Sequence, residues 1–330
     1  MSYKRLDAED FLVSIDSVTA TAWSTNSPTL STFFTSSATS TNDVYYKNVY
    51  QTGSTASGSA VQFAIAYGNK QGSGSANYND LVPGVSPTRT VYGQYRNLVY
   101  GDENAQFIFG TVTASDFWAI NVDRARYKEH LLKGTFNITL SGSGIQTLKL
   151  TDNSGMVSTD TYLDCGRVYQ IISGSNGVAY TGTGYSPSSG SYGLFLPDIA
   201  TIILNPLALS QSINLEPTRT SDTNIDNIGK LYTAVSGGAS FQLNSEETVT
   251  SDYVFVRSRN AEFNYSENPS FISGSTGDVL YSAFINSPQT YITTVGFYND
   301  TNDLLAVAKL SKPLTKDFTK ESLIRVKLDF

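Results

Sequence analysis

Apolar and polar residues alternate with a period of two along much of this chain, and the period lengthens to that of a helix in only a few short places. The segment Asp10 to Trp23, DFLVSIDSVTATAW, reads as one or two strands with β-branched residues throughout. Val61, Phe63, Ile65 and Tyr67 alternate with smaller residues, which predicts a strand with one buried face ahead of a Gly/Ser turn. Thr135 to Gly155 predicts a hairpin, with Phe136, Ile138 and Leu140 on one side of SGSG and Ile145, Leu148 and Leu150 on the other. RVYQIISGSNGVAYTG and YGLFLPDIATIILNPLAL repeat the strand–turn–strand pattern, the latter around Pro197-Asp198.

Helical spacing is found in three segments. Val91, Tyr95, Leu98 and Val99 follow Pro87 and stop at Gly101. VDRARYKEHLLKG, ending at Gly134, predicts a second short helix. In TNIDNIGKLYTAVSGG, residues Ile225, Ile228, Leu231, Tyr232 and Val235 line one face. Thr223 or Asn224 caps its start, and Gly237-Gly238 ends it. From Ser240 onward the pattern returns to strands.

The C-terminal part has the sharpest patterns. In the stretch from Tyr291, Thr293, Val295 and Phe297 are predicted to share one face with Tyr291, and Ile292, Thr294, Gly296 and Tyr298 the other. NDTND forms the loop, and Leu304 to Leu310 returns with apolar residues on both faces, as for a strand covered on both sides. Gly296 leaves a gap that a neighbouring backbone or aromatic ring can enter. In LIRVKLDF, Ile324, Val326, Leu328 and Phe330 alternate with Arg325, Lys327 and Asp329, which predicts a half-buried strand ending the fold, with no tail after it.

One segment has neither period. Ser24 to Asp43 is nearly all Ser and Thr, with Leu30, Phe33 and Phe34 set inside it. It reads either as a flexible linker or as an extended arm that orders by placing those apolar residues on a neighbouring subunit. Together with the change to continuous strands near residue 240, it divides the chain into 1–60 (N-terminal strands and the arm), 61–239 (a mixed, mainly β domain) and 240–330 (a β docking domain). The expected fold class is mainly β, with sandwich-like domains and a few short helices.

Composition supports that class and removes several functions. Hydrophobic residues make up 40 % and charged residues only 15 % of 330, with 21 Tyr and 17 Phe. Hydroxyls, β-branched residues and aromatics favour strands with polar turns. The net charge is −7, and basic residues form no uncompensated run, so nucleic-acid binding is not expected. No stretch approaches the roughly 18 apolar residues needed for a membrane span, and no apolar run serves as a signal peptide, so the chain is expected to be made in a cytoplasm.

Candidate chemistry is sparse. The only histidine, His130, falls on the charged segment predicted as a helix and reads as a solvated surface side chain. The only cysteine, Cys165, reads as a buried, inert thiol, and one Cys with one His does not make a tetrahedral zinc site. YNDTND reads as a tight turn rather than a calcium loop, since it lacks the Gly and terminal Glu of such loops. A pair of carboxylates for glycoside hydrolysis has no sequence signal among the 29 acids. No enzyme and no cofactor is expected.

RSRNAEFNYSENPSF, YITTVGFYNDTNDLLAVAKLSKPL and KESLIRVKLDF resemble the C-terminal part of virion structural proteins of contractile-tailed phages that infect cyanobacteria. ITTVGFYNDTNDLLAVAKL also resembles the EIGLFDxxGxLxAVG-type hairpin of baseplate-proximal domains of tail fibres. YGQYRNLVYGDENAQF, INVDRARYKEHLLKGTFNITLS and SGSYGLFLPDIATIILN are similar to the same proteins, so the resemblance covers most of the chain after about Val61. It implies a non-enzymatic tail component, assembled in the host cytoplasm into the virion, at the baseplate or where fibres attach. Its partners would be other virion proteins and further copies of itself. The assembly contacts expected on this reading are Phe33 and Phe34 on the arm, Gly296, Phe297 and Tyr298 on the hairpin, and Ile324, Val326, Leu328 and Phe330 on the last strand. A neck, collar or head-decorating protein is the alternative within the class. A host-glycan-binding tail module, motivated by the tyrosines, is the alternative outside it.

Overall fold

A computed structural model of the chain describes residues 3–35, 45–72, 74, 87–142, 146–219 and 224–329. Strands take up 45 % and helices 16 % of the chain, twice the usual strand share, so the protein is mainly β with large curled antiparallel sheets and four short helices. Strands β1 (Phe11–Thr21), β2 (Thr29–Leu30), β3 (Phe34–Thr35), β4 (Tyr46–Tyr50) and β5 (Val61–Asn69) precede helix α1 (Thr88–Tyr100). Then follow β6 (Phe107–Phe109), β7 (Val112–Ala114), β8 (Asp116–Val122), β9 (His130–Leu131), β10 (Asn137–Ser141), β11 (Thr147–Asp152) and β12 (Thr161–Leu163). Strands β13 (Gly166–Ser175), β14 (Val178–Ala179), β15 (Gly193–Leu196) and β16 (Thr201–Leu204) lead to α2 (Pro206–Ile213) and α3 (Asn224–Gly238). The chain continues with β17 (Ser240–Gln242), β18 (Asn244–Ser258), α4 (Ser282–Asn286), β19 (Gln289–Tyr298), β20 (Leu304–Asp317) and β21 (Ser322–Asp329).

These elements form two compact units, one of Ser17–Glu247 and one of Met1–Asp16 with Thr248–Phe330. The larger unit is built on a sheet of order β2-β17-β10-β11-β13-β15-β16-β8-β5-β4-β3. Its two outermost strands are consecutive in the chain. Leu30 ends β2 and Phe34 begins β3, and four residues of chain reach only about 14 Å. The sheet must therefore curl until its edges approach. Ring contacts agree: Phe241 on β17 and Phe63 on β5, near opposite ends of the strand order, lie 5.3 Å apart.

The pleat then sorts side chains onto two faces. Trp118, Ile120 and Val122 of β8 join the large inner cluster with Phe63, Phe136, Phe195, Phe241 and Trp23, closed by Leu231 and Val235 of α3. Phe117 and Ala119 point the other way, into a second cluster with Val91, Tyr92 and Val99 of α1 and Phe107 and Phe109 of β6. Helix α1 forms where its spacing predicted, and Gly101 ends it in the left-handed region at φ 62°. Tyr92 rather than Leu98 completes its buried face.

The expectation that β5 buries one face is corrected, because Gln62 and Ala66 are buried as well as Phe63, Ile65 and Tyr67. The small residues admit α1: a Cβ on Gly68 would lie 3.1 Å from the backbone of Tyr92.

Two further expectations give way to tertiary pairing. VDRARYKEHLLKG is no helix. It makes a single 3-10 turn at Arg124–Arg126 and then β9, which pairs with Ser245 and Glu246 of β18. Ladder bonds and the buried Leu131 outweigh a weak helix preference over so short a segment. Residues 24–35 are ordered against their own chain: Leu30 sits opposite Phe241, and β3 pairs with β4. The rest of the expected arm, 36–43, and the proposed cap at Thr223 lie outside the described residues.

Candidate assembly surface

In the smaller unit, β18 lies between β1 and β21. Strand β21 pairs along its length with Ser251–Ser258, Val326 facing Val254. The predicted alternation holds: Val326 is buried and Ile324 and Leu328 half-buried, while Arg325, Lys327 and Asp329 face out. On that outer face Arg325 stands 5.4 Å over the Tyr253 ring. Lys327 bonds Asp329 at 2.8 Å, and Asp329 also accepts from Ser251 at 2.6 Å. These bonds hold the Asp329 carboxyl below its ordinary range.

The hairpin of β19 and β20 carries a bulge after Ile292 and another at Phe297/Tyr298. The first bulge shifts the alternation by one residue. Ile292 therefore shares the half-buried face with Val295 and Phe297, not the opposite one. The gap at Gly296 is filled from within its own strand, since a Cβ there would lie 3.0 Å from the Tyr298 ring. Tyr3 packs edge-on against Tyr298 at 5.3 Å.

The NDTND loop is closed by its own side chains. Asn299 Oδ1 accepts from the Thr301 and Asp303 amides at 3.0 and 2.7 Å. Bonds from Thr301 and Asn299 lower the Asp303 carboxyl. At the base of β20, the Thr319 hydroxyl and amide hold Asp317 down to about 2.

What distinguishes this unit is how little apolar surface it buries. Among its described residues only Val254, Phe271 and Val326 are buried hydrophobics. At roughly 1.5–3 kcal/mol each, full burial of three such side chains contributes only about 5–9 kcal/mol. Phe11, Leu12, Val13 and Ile15 of β1 are exposed, Ile15 by 71 %, as are Leu304, Leu305 and Val307 of β20 and Leu323 of β21. Strand β1 is the outermost strand beside β18, and it shows apolar side chains on both its faces. A long edge of that kind is a template for strand addition. The return strand Leu304–Leu310 was expected to be covered on both faces; within this chain it is not, since Val307 is 58 % exposed.

The structure distributes the nine residues predicted from the sequence. Phe33 is buried in the inner cluster of the larger unit, 6.2 Å from the Phe63 ring. Phe34 is 44 % exposed on β3. Gly296, Phe297 and Tyr298 lie on the hairpin and Ile324, Val326 and Leu328 on β21, in the smaller unit. Phe330 lies outside the described residues. Sequence reasoning did not single out Phe11, Leu12, Val13 and Ile15. Their signal was present, because apolar residues at successive positions of a strand require cover on both faces.

The groups with reactive chemistry are engaged by neighbours or partly buried. His130 is a strand residue, not a solvated helix residue, and its Nε2 lies 3.0 Å from Glu246 on the paired strand. Ser17 donates to the same glutamate. Burial pushes the Glu246 carboxyl up, but its bonds to Ser17 and His130 outweigh that and leave it lower than usual. Asp198 is likewise raised by burial and lowered further by Arg167, whose Nε lies 3.0 Å away. Cys165 is half-buried and pushed up to about 11, chiefly by burial.

At pH 8 the Cys165 thiolate fraction is then roughly a hundred times smaller than that of an unburied cysteine. Alkylation by iodoacetamide is expected to be slower by that factor and to rise tenfold per pH unit towards pH 11. A rate matching free cysteine at pH 8 would contradict the burial that causes the shift. Among the described residues no group of three or more His, Cys, Asp or Glu side chains could hold a metal ion. No helix there is long and apolar enough to cross a membrane. No protein-family model, no curated protein and no solved structure matches the chain.

Proposed function

We propose that this chain is a non-enzymatic structural protein of a contractile-tailed bacteriophage virion, placed at the baseplate or at a fibre attachment point. It acts through subunit–subunit contacts, with further copies of itself and other tail proteins as partners. The observation that carries this reading is the apolar surface the smaller unit leaves exposed, Val13 and Ile15 on β1 and Leu305 and Val307 on β20. A unit with so small a core gains most from burying that surface against a neighbour. The motif resemblance of its hairpin and last strand supplies the virion context.

Removing Ile324–Phe330 is a poor test, because it strips a strand from β18 and unfolds the unit. Val13→Lys with Ile15→Lys is better, since both side chains are exposed and lysine is tolerated on an edge strand. The unaltered chain is expected to sediment as an oligomer and to be recovered in virions when supplied during infection. The double variant should stay monomeric, be left out of particles and melt at the same temperature. Particles that take up the variant at the unaltered level would sink the proposal.

A further inference from the structure

Beside the buried Tyr92, one flank of α1 is left open. Arg89, Tyr92, Gly93 and Arg96 fall at i, i+3, i+4 and i+7 and line a pocket of about 550 Å³ in the larger unit. Lys70, at the end of β5, adds a third cation, and Gln71 and Gln106 add amide groups. Among the described residues no carboxylate lines the pocket, although the chain as a whole carries 29 acidic against 22 basic residues. Among the described residues none of these three cations has an ion-pair partner. Asp116, on β8, is already held by the Tyr67 hydroxyl at 2.9 Å and by Arg219 at 2.8 Å.

Two details point to a ligand rather than to a gap in packing. Arg96 keeps its Nε buried with no hydrogen-bond partner, while its guanidinium lies 5.9 Å over the Tyr92 ring. That Nε is closed even to water, so a ligand would meet the outer guanidinium nitrogens, which the Tyr92 ring holds at the pocket wall. Gly93 sits in the middle of the helix, where glycine is about 1 kcal/mol worse than alanine. Nothing lies within 4 Å of a Cβ built there, so no neighbour requires the glycine. What its missing side chain preserves is the open floor of the pocket.

We propose that this pocket binds a small organic phosphate, its phosphate group held among Arg89, Arg96 and Lys70 and its polar body against Gln71 and Gln106. Arginine forks match the paired oxygens of such an anion, and converging cations favour a dianion over a carboxylate. The volume is that of a small-molecule site rather than of a bare ion.

The test is calorimetric titration of the full chain with glucose 1-phosphate, inorganic phosphate, sulfate and glucose. Glucose 1-phosphate is expected to bind, glucose not to bind, and inorganic phosphate and sulfate, which lack the polar body, to bind more weakly than glucose 1-phosphate. Arg89→Gln with Arg96→Gln should weaken binding by at least about tenfold. Gly93→Leu should intrude on the floor of the pocket and weaken binding while the melting temperature, read by tryptophan fluorescence, holds or rises. That variant keeps the proposal testable if the arginine pair fails to fold. Absence of heat with glucose 1-phosphate at about 10 mM, far above ordinary small-ligand affinities, would overturn it. So would binding unchanged by Gly93→Leu, or inorganic phosphate binding as tightly as glucose 1-phosphate, which would mean an adventitious ion only.

Discussion

Phe241→Ala is expected to destabilise the larger unit by about 3–5 kcal/mol, the range for deleting a fully buried aromatic ring. The ring is fully buried, 4.8 Å from Trp23, 5.3 Å from Phe63 and 6.1 Å from Phe136. Its carbonyl also accepts the Trp23 indole N–H at 2.8 Å. These residues come from β17, the turn after β1, β5 and the chain just before β10, so one ring ties together the two approaching ends of the curled sheet. The rigid backbone around it cannot collapse into the space left behind. Both tryptophans of the chain, Trp23 and Trp118, belong to this unit and are buried. Their fluorescence through a urea titration therefore reads it alone. A loss below about 1 kcal/mol, that of a residue with room to relax, would mean the sheet is not closed there.

Lys316→Met is expected to act on the other unit. Lys316 is fully buried on β20, and its ammonium gives one proton each to the carbonyls of Asn260 and Asp317, both at 3.0 Å, and to Asn264 Oδ1 at 2.8 Å. All three donors are used. Methionine fills the same space but leaves Asn264 Oδ1 without its donor, at about 1–3 kcal/mol for a buried acceptor, while the Asn260 carbonyl keeps the Asn264 amide and the Asp317 carbonyl keeps the Lys320 N–H. Part of that is offset because no charge is then desolvated, leaving a net loss of about 1 kcal/mol. The thermal transition of the smaller unit is expected to fall by roughly 4–8 °C in calorimetry. The tryptophan transition should stay where it was. If both transitions move together, the two units do not unfold separately. If neither moves, the buried ammonium contributes nothing net.

The elements were largely legible where one period ran without interruption. Strand β21 alternates as LIRVKLDF predicts, α1 stops at Gly101, and α3 buries Ile228, Leu231 and Val235. Reading failed where partners distant in sequence decide the outcome. His130 belongs to β9 only because Glu246 lies opposite it, more than a hundred residues on. Ile292 changes face because of a bulge that alternation alone does not announce. Phe33 looked like part of an arm, and its place in the core depends on Phe63 and on the closing of the sheet. The candidate surface was half legible: the hairpin and last strand were singled out, but the apolar edge on β1 was not. The pocket beside α1 had no signal of its own, since Lys70, Arg89 and Arg96 are unremarkable as isolated positions.

By itself, then, the order of residues determined the strand-rich class, most element boundaries and the scarcity of reactive side chains. Those follow from local periods, turn residues and composition, which act over a few positions. Tertiary structure decided which strands are covered, that the sheet curls until Leu30 and Phe34 come near each other, and that three cations face one cavity. The reason is that burial and convergence are properties of neighbours in space. A strand such as β1, apolar on both faces, states in sequence only that something must cover it; the fold shows that none of the described residues does.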